Sequence, residues 1–132
     1  MEAMDERRVW QRVRGEDRTE RIRTCLAKQA ELLRIYRQLS RRGGKCRMLF
    51  EQKENQIACL RGVLRVLTGQ NVVPPKGGEV KVDLLRCHDG EMEFLRELTE
   101  LGKDPDFGPV FDTLRERQKT QCRLLLEIIG TM

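Results

Sequence analysis

Apolar residues recur at three- and four-residue spacings through most of the chain, and glycine and proline cut these runs into a few pieces. Residues 2–14 carry Val9, Trp10 and Val13, enough for a short amphipathic helix, and Gly15 separates it from the rest of the chain. The next run, about Asp17 to Arg41, places Ile22, Cys25, Leu26, Leu32, Leu33, Tyr36 and Leu39 on one stripe. That is the period of a helix with one buried face. Gly43 and Gly44 end it and make a tight turn. A second helix runs from about Lys45 to Thr68, with Leu49, Leu60, Val63 and Leu67 inward and Gly69 as its stop. So short a turn makes the two helices antiparallel neighbours.

Residues 69–82 have no helical period and contain Pro74, Pro75, Gly77 and Gly78. Fourteen residues reach up to about 46 Å when extended, and a 24-residue helix is about 36 Å long. The connection can therefore travel the length of a bundle, which predicts a crossover rather than a hairpin. A third helix starts at Asp83 as N-cap and runs to about Leu101, with Leu84, His88, Leu95 and Leu98 inward. Gly102 to Pro105 form a turn, and a fourth helix covers about 106–129 with Phe111, Leu114, Leu125 and Ile128 inward. Pro109 is tolerated only in a first turn, so the regular helix begins there. The expectation is an all-α, four-helix bundle over residues 16–132, in up-down-down-up order. Residues 1–15 form an appendage helix that packs on the bundle or on a partner chain.

The apolar stripes are interrupted at matching heights. Gln29, Lys53, Gln56, Glu91, Gln118 and Gln121 all occupy inward positions near mid-helix. Buried polar groups are costly unless they are satisfied, so this layer is the candidate site.

Composition narrows the class without changing the picture. Charged residues make up 36% and the aromatic fraction is 5%, which fits a helical bundle. No apolar run approaches the ~18 residues of a membrane span. The first fifteen residues are charged throughout, with no signal-like apolar stretch, so a cytoplasmic protein is expected. Five cysteines without a Cys-x-x-Cys spacing read as free thiols rather than a zinc site. Residues 1–47 hold 14 Lys/Arg against 7 Asp/Glu, net +7, whereas residues 48–132 hold 12 against 14, net −2. A basic front half admits nucleic-acid binding as one alternative. The arginines alternate with acids at helical spacing and lack interleaved aromatics, which favours a solvated helix face.

The chain also repeats itself. Cys25 to Arg34 overlay Cys87 to Arg96 at an offset of 62, and Leu49, Lys53 and Gln56 overlay Leu114, Gln118 and Gln121 at an offset of 65. The repeated unit is a helical hairpin. Gln29 is thus equivalent to Glu91, Lys53 to Gln118, and Gln56 to Gln121.

One residue and then an i, i+3 pair, twice over, is the ligand pattern of a di-iron carboxylate bundle. The stretch Asp104-Pro-Asp-Phe-Gly-Pro-Val-Phe111-x2-Leu114-x3-Gln118-x2-Gln121 resembles the rubrerythrin segment Asp-Pro-x-x-Gly-x-x-Phe-x2-Leu-x3-Glu-x2-His. Gln29-x6-Tyr36 is similar to that family's Glu-x6-Tyr, and Leu49-x3-Lys53-x2-Gln56 stands where its other Glu-x-x-His would be. The resemblance spans about residues 18–129 and implies a ferritin-like fold, with iron oxidation or peroxide reduction at a di-iron centre. Of the six ligand positions only Glu91 keeps its type; Gln29 and Gln118 replace Glu, Lys53 replaces Glu, Gln56 and Gln121 replace His, and Leu98 replaces the tyrosine that would mirror Tyr36 in the repeat. An amide is a poor iron ligand and an ammonium repels a cation.

Three readings are open. The first is a ferritin-like bundle without its metal: non-catalytic, needing no cofactor, acting through its surface as a homodimer. The second is an unrelated helical protein with a hydrogen-bonded polar core. The third is a rubrerythrin-like oxidoreductase with an altered iron site anchored by His88 and Glu91. The first predicts that Lys53 and Glu91 pair inside a glutamine network, with Tyr36 and His88 at its edges.

Overall fold

The structure, a computed structural model, describes the backbone of residues 2–132 and the side chains of residues 17–132. Four helices carry the fold: α1 (Glu2–Leu39), α2 (Gly44–Thr68), α3 (Leu84–Leu101) and α4 (Gly108–Thr131). A single 3-10 turn, Ser40–Arg42, follows α1. The described residues contain no strand.

The helix ends have local causes. Gly43 and Gly44 turn the chain with φ of 70° and 54°, a region where a side chain is strained. Gly69 caps α2 in the left-handed conformation and returns its N–H to Arg65 O. The Asp83 side chain accepts from Arg86 N, capping α3. Before α4, Asp104 Oδ1 accepts from the N–H groups of Asp106 and Phe107. Gly108 is required by a close approach, because a Cβ there would lie 2.7 Å from the Gly102 carbonyl oxygen.

One expected boundary is absent. α1 runs unbroken through Gly15, so residues 2–14 are not a separate helix. An interior glycine costs about 1 kcal/mol relative to alanine, which weakens a helix without ending it. Val9, Trp10 and Val13 lie outside the residues whose side chains are described.

In cross-section α1 and α4 each touch both α2 and α3, while α1/α4 and α2/α3 are diagonal pairs. Pairs between neighbours fix the directions. Arg21 meets Glu97 and Lys28 meets Glu93, so α1 and α3 are antiparallel. Lys45 meets Glu127 and Gln56 meets Gln118, so α2 and α4 are antiparallel. α2 and α3 therefore run the same way across the diagonal, and residues 69–82 return the chain along the bundle. Arg61 holds the start of that connection at Val72 O and Asn71 Oδ1, and Arg34 of α1 holds its later part at Gly78 O. The crossover passes on the α1 side.

The core is two apolar clusters. One end contains Ile22, Leu26, Leu60, Leu64, Phe94 and Phe111, with Cys25 among them. The other contains Leu32, Leu39, Leu49, Leu124, Leu125 and Cys87. The two cysteines of the repeat thus lie in different clusters. α3 corrects the expected stripe: Cys87, Glu91, Phe94, Leu98 and Leu101 are buried, whereas Leu84, His88 and Leu95 are half-buried. Both stripes share Glu91 and Leu98, but the helix is rotated so that Phe94 faces the centre. No helix among the described residues is long and apolar enough to cross a membrane.

Candidate functional site

All six polar positions are buried, each 2% exposed or less, between the two apolar clusters. Their placement comes from register: each sits on the inward stripe of its helix, so helix packing alone brings them to one level.

Lys53 of α2 is the centre. Its ammonium donates to Glu91 Oε1 at 2.6 Å, across the diagonal, and to Gln29 Oε1 of α1 at 2.7 Å. The Phe94 ring lies beside it, 4.9 Å from Nζ to the ring centroid, in a cation–π arrangement. Glu91 receives further donors. Tyr36 O–H donates to Oε2 at 3.0 Å, and Gln118 Nε2 donates to Oε1 at 3.1 Å and to the Glu91 backbone carbonyl at 2.8 Å. Gln56 Nε2 donates to Gln118 Oε1 at 2.8 Å. Gln121 Nε2 donates to the Leu49 carbonyl at 3.0 Å, tying α4 to α2. Lys53, Gln29, Glu91, Tyr36, Gln118 and Gln56 thus form one network across all four helices.

Two predicted residues stand apart. Gln121 is buried in the layer, but its amide bonds to backbone rather than to the network. His88 is half-buried and makes no hydrogen bond to the layer; its Nε2 is enclosed without a partner among the described residues. The amide oxygens of Gln56 and Gln121 are likewise enclosed without a protein donor among the described residues. Phe94 is the participant that the sequence pattern did not single out. The signal was available, because Phe94 lies three residues after Glu91 and shares its face.

Electrostatically the layer is neutral: one ammonium faces one carboxylate and the remaining side chains are uncharged. Burial pulls the Lys53 ammonium below its ordinary value, and the Glu91 charge opposes that pull. Burial first, and then the Glu91 charge, raise the Tyr36 phenol far above its ordinary value, so it remains a donor. Burial pushes the Cys87 and Cys122 thiols up to about 11, with Glu91 acting in the same sense. Neutral, enclosed thiols are poor nucleophiles and poor metal ligands. All five cysteines are free.

The donor set decides what the layer can do chemically. Glu91 is the single carboxylate in it, and both of its oxygens are engaged by Lys53, Gln118 and Tyr36. No group of three or more His, Cys, Asp or Glu capable of holding a metal comes together among the described residues. Compared with protein-family models, curated proteins and solved structures, the chain gives no match.

Proposed function

We propose that this chain is a rubrerythrin-related, ferritin-like bundle in which an internal ion pair stands where a di-iron centre would be. It is a non-catalytic interaction protein of the cytoplasm, working as a homodimer. The observation that carries this reading is the position of Lys53. Its ammonium is 0% exposed and lies 2.6 Å from the one carboxylate kept from the ligand pattern, so it supplies the positive charge a metal would bring.

The residues do not fit a di-iron centre. Two divalent ions need several anionic oxygens and imidazoles, and the layer offers one carboxylate, already paired, with four amides. A cation entering beside Lys53 would meet a like charge in a medium of low dielectric. His88, the one imidazole in the chain, is not directed to Glu91 by any hydrogen bond. The ferritin-like assignment draws its support from the Asp104–Gln121 motif, the repeat, and the antiparallel hairpins joined by a crossover. Of the basic residues in the front half, Arg18, Arg21 and Lys28 are engaged by acids.

Thermal unfolding in the presence of Fe(II), Mn(II) or Zn(II) tests the reading. A metal that binds the folded state raises the Tm by mass action. The expected result is no change up to millimolar metal; a rise of several degrees would overturn the proposal.

A further inference from the structure

A groove of about 680 Å3 lies between α1 and α3, spanning α1 from Glu20 to Ile35. Its floor is Cys25, Leu32, Cys87, Gly90 and Phe94, with buried Gln29 of the polar layer beneath. Six carboxylates and four bases line it, a local net charge of −2 on a chain whose net charge is +5. Two of the bases, Arg21 and Lys28, are already paired with Glu97 and Glu93. The groove is therefore an apolar trough with an acidic rim.

Gly90 marks its middle. A Cβ there would meet only the Leu32 methyls, at 3.7 and 3.8 Å, so the packing of α1 on α3 does not require glycine. Its backbone is not left-handed either. An interior helix glycine weakens a helix relative to alanine, and its effect here is to leave the floor open.

The chain itself contains a segment of matching chemistry. Residues 7–14, Arg-Arg-Val-Trp-Gln-Arg-Val-Arg, hold four arginines and no acid, with Val9, Trp10 and Val13 at helical spacing. Residues 2–14 belong to α1, and thirteen helical residues measure about 20 Å. The groove edge from Glu20 to Ile35 measures about 24 Å by the same rise. The segment cannot occupy its own groove, because both belong to one unbroken helix that cannot lie beside itself.

We infer that the α1/α3 groove receives the N-terminal segment of α1 from a second copy of this chain. Extending the homodimer reading above, the contact is isologous: the two α1 helices run antiparallel about a two-fold axis, and each covers the groove of the other. The segment's Val9, Trp10 and Val13 face is laid along the apolar floor, and its arginines meet the acidic rim. An apolar helix face laid into a groove is a recurring recognition mode, and tryptophan and arginine are enriched among interface hot spots.

The test uses the full chain. A photo-crosslinking p-benzoylphenylalanine replaces Val13, on the face that carries Trp10, heavy- and light-isotope copies are mixed, and mass and cross-link sites are read together. The expected result is a dimer whose intermolecular cross-links fall on residues 20–35 of α1 and 83–97 of α3. Gly90→Leu, which fills the floor, raises the dimer Kd by ~10-fold or more, whereas Gly90→Ala leaves it within about twofold. A dimer cross-linked elsewhere, or one indifferent to Gly90→Leu, overturns this inference and leaves the homodimer reading standing. A monomer at all concentrations overturns both.

Discussion

Lys53 and Glu91 stand on helices that do not touch, α2 and α3, yet their side chains meet at 2.6 Å in the middle of the bundle. The diagonal explains why the pair matters. Neighbouring helices are held by their apolar faces, but the diagonal distance is bridged only by side chains long enough to cross it. Removing one partner strands the other. Lys53→Met leaves the Glu91 carboxylate buried with hydrogen bonds from Tyr36 and Gln118 but no opposite charge. The expected loss is about 3–5 kcal/mol in urea unfolding. A cycle with Glu91→Gln should return a coupling of about 1–3 kcal/mol. An unchanged midpoint for Lys53→Met would show that the pair carries no weight.

Tyr36→Phe removes the donor to Glu91 Oε2 while keeping the ring. Hydrogen bonds to a buried charge are worth about 1.5–3 kcal/mol, and that is the expected destabilisation. Gln118→Met should cost at least as much. It removes two donations to Glu91 and also leaves the Gln56 amide without its acceptor. A Gln118→Met protein as stable as the parent would contradict the connected network.

The thiols should differ in reactivity. Burial pushes Cys25 up to about 12, and Cys87 and Cys122 to about 11, whereas Cys59 is half-buried and raised less. Thiol modification proceeds through the thiolate. Peptide mapping after brief iodoacetamide treatment at pH 8 should find Cys59 labelled ahead of these three. Preferential labelling of Cys25 would contradict the packing at that end of the bundle.

The turn into α4 makes a prediction about acid. Burial raises the Asp104 carboxyl, but hydrogen bonds from Arg18 and from the Phe107 and Asp106 N–H groups outweigh it, and the net direction is down. A carboxyl held below its unfolded value of 3.8 adds stability above that pH and loses it as the pH falls through the folded value. Asp104→Asn keeps an oxygen for the two N–H groups and removes the charge facing Arg18. It should cost about 1 kcal/mol near neutrality, with the gap from the parent closing below pH 3.8. A gap that widens in acid would reverse the sign expected for this carboxylate.

Two glycines should respond oppositely to alanine. At Gly108 a Cβ would sit 2.7 Å from the Gly102 carbonyl oxygen, so Gly108→Ala forces the backbone of the turn apart and should cost about 1–3 kcal/mol. At Gly90 the nearest atoms are ordinary contacts, so Gly90→Ala should stabilise by about 0.5–1 kcal/mol. Thermal melts of the two variants check both signs.

Much of the bundle was legible because its signals are local. The stripe of α4, from Phe111 to Ile128, is buried as its spacing requires, and Gly69 and Asp83 end and begin helices for reasons visible in two or three residues. The continuity of α1 through Gly15 was not legible: a single glycine lowers helix stability, and context decides whether the helix continues. The rotation of α3 was readable only through the repeat. Cys25 and Leu32 are buried in α1, and their equivalents at an offset of 62 are Cys87 and Phe94, the residues that face inward in α3. The six polar positions were found from register alone. The Lys53–Glu91 pairing was legible too, from charge balance, but the remaining partners were not, since Gln121 turns to the Leu49 carbonyl and His88 stays outside, choices set by side-chain reach rather than helix period.

If Lys53 supplies the charge that a metal would bring, as proposed, elemental analysis of iron, manganese and zinc per chain after anaerobic Fe(II) loading and desalting will show it. The expected content is near zero, with Lys53 and Glu91 paired in the loaded and unloaded protein alike. A content near two per chain would contradict the claim, and would require the glutamines and Glu91 to leave their hydrogen bonds and act as ligands.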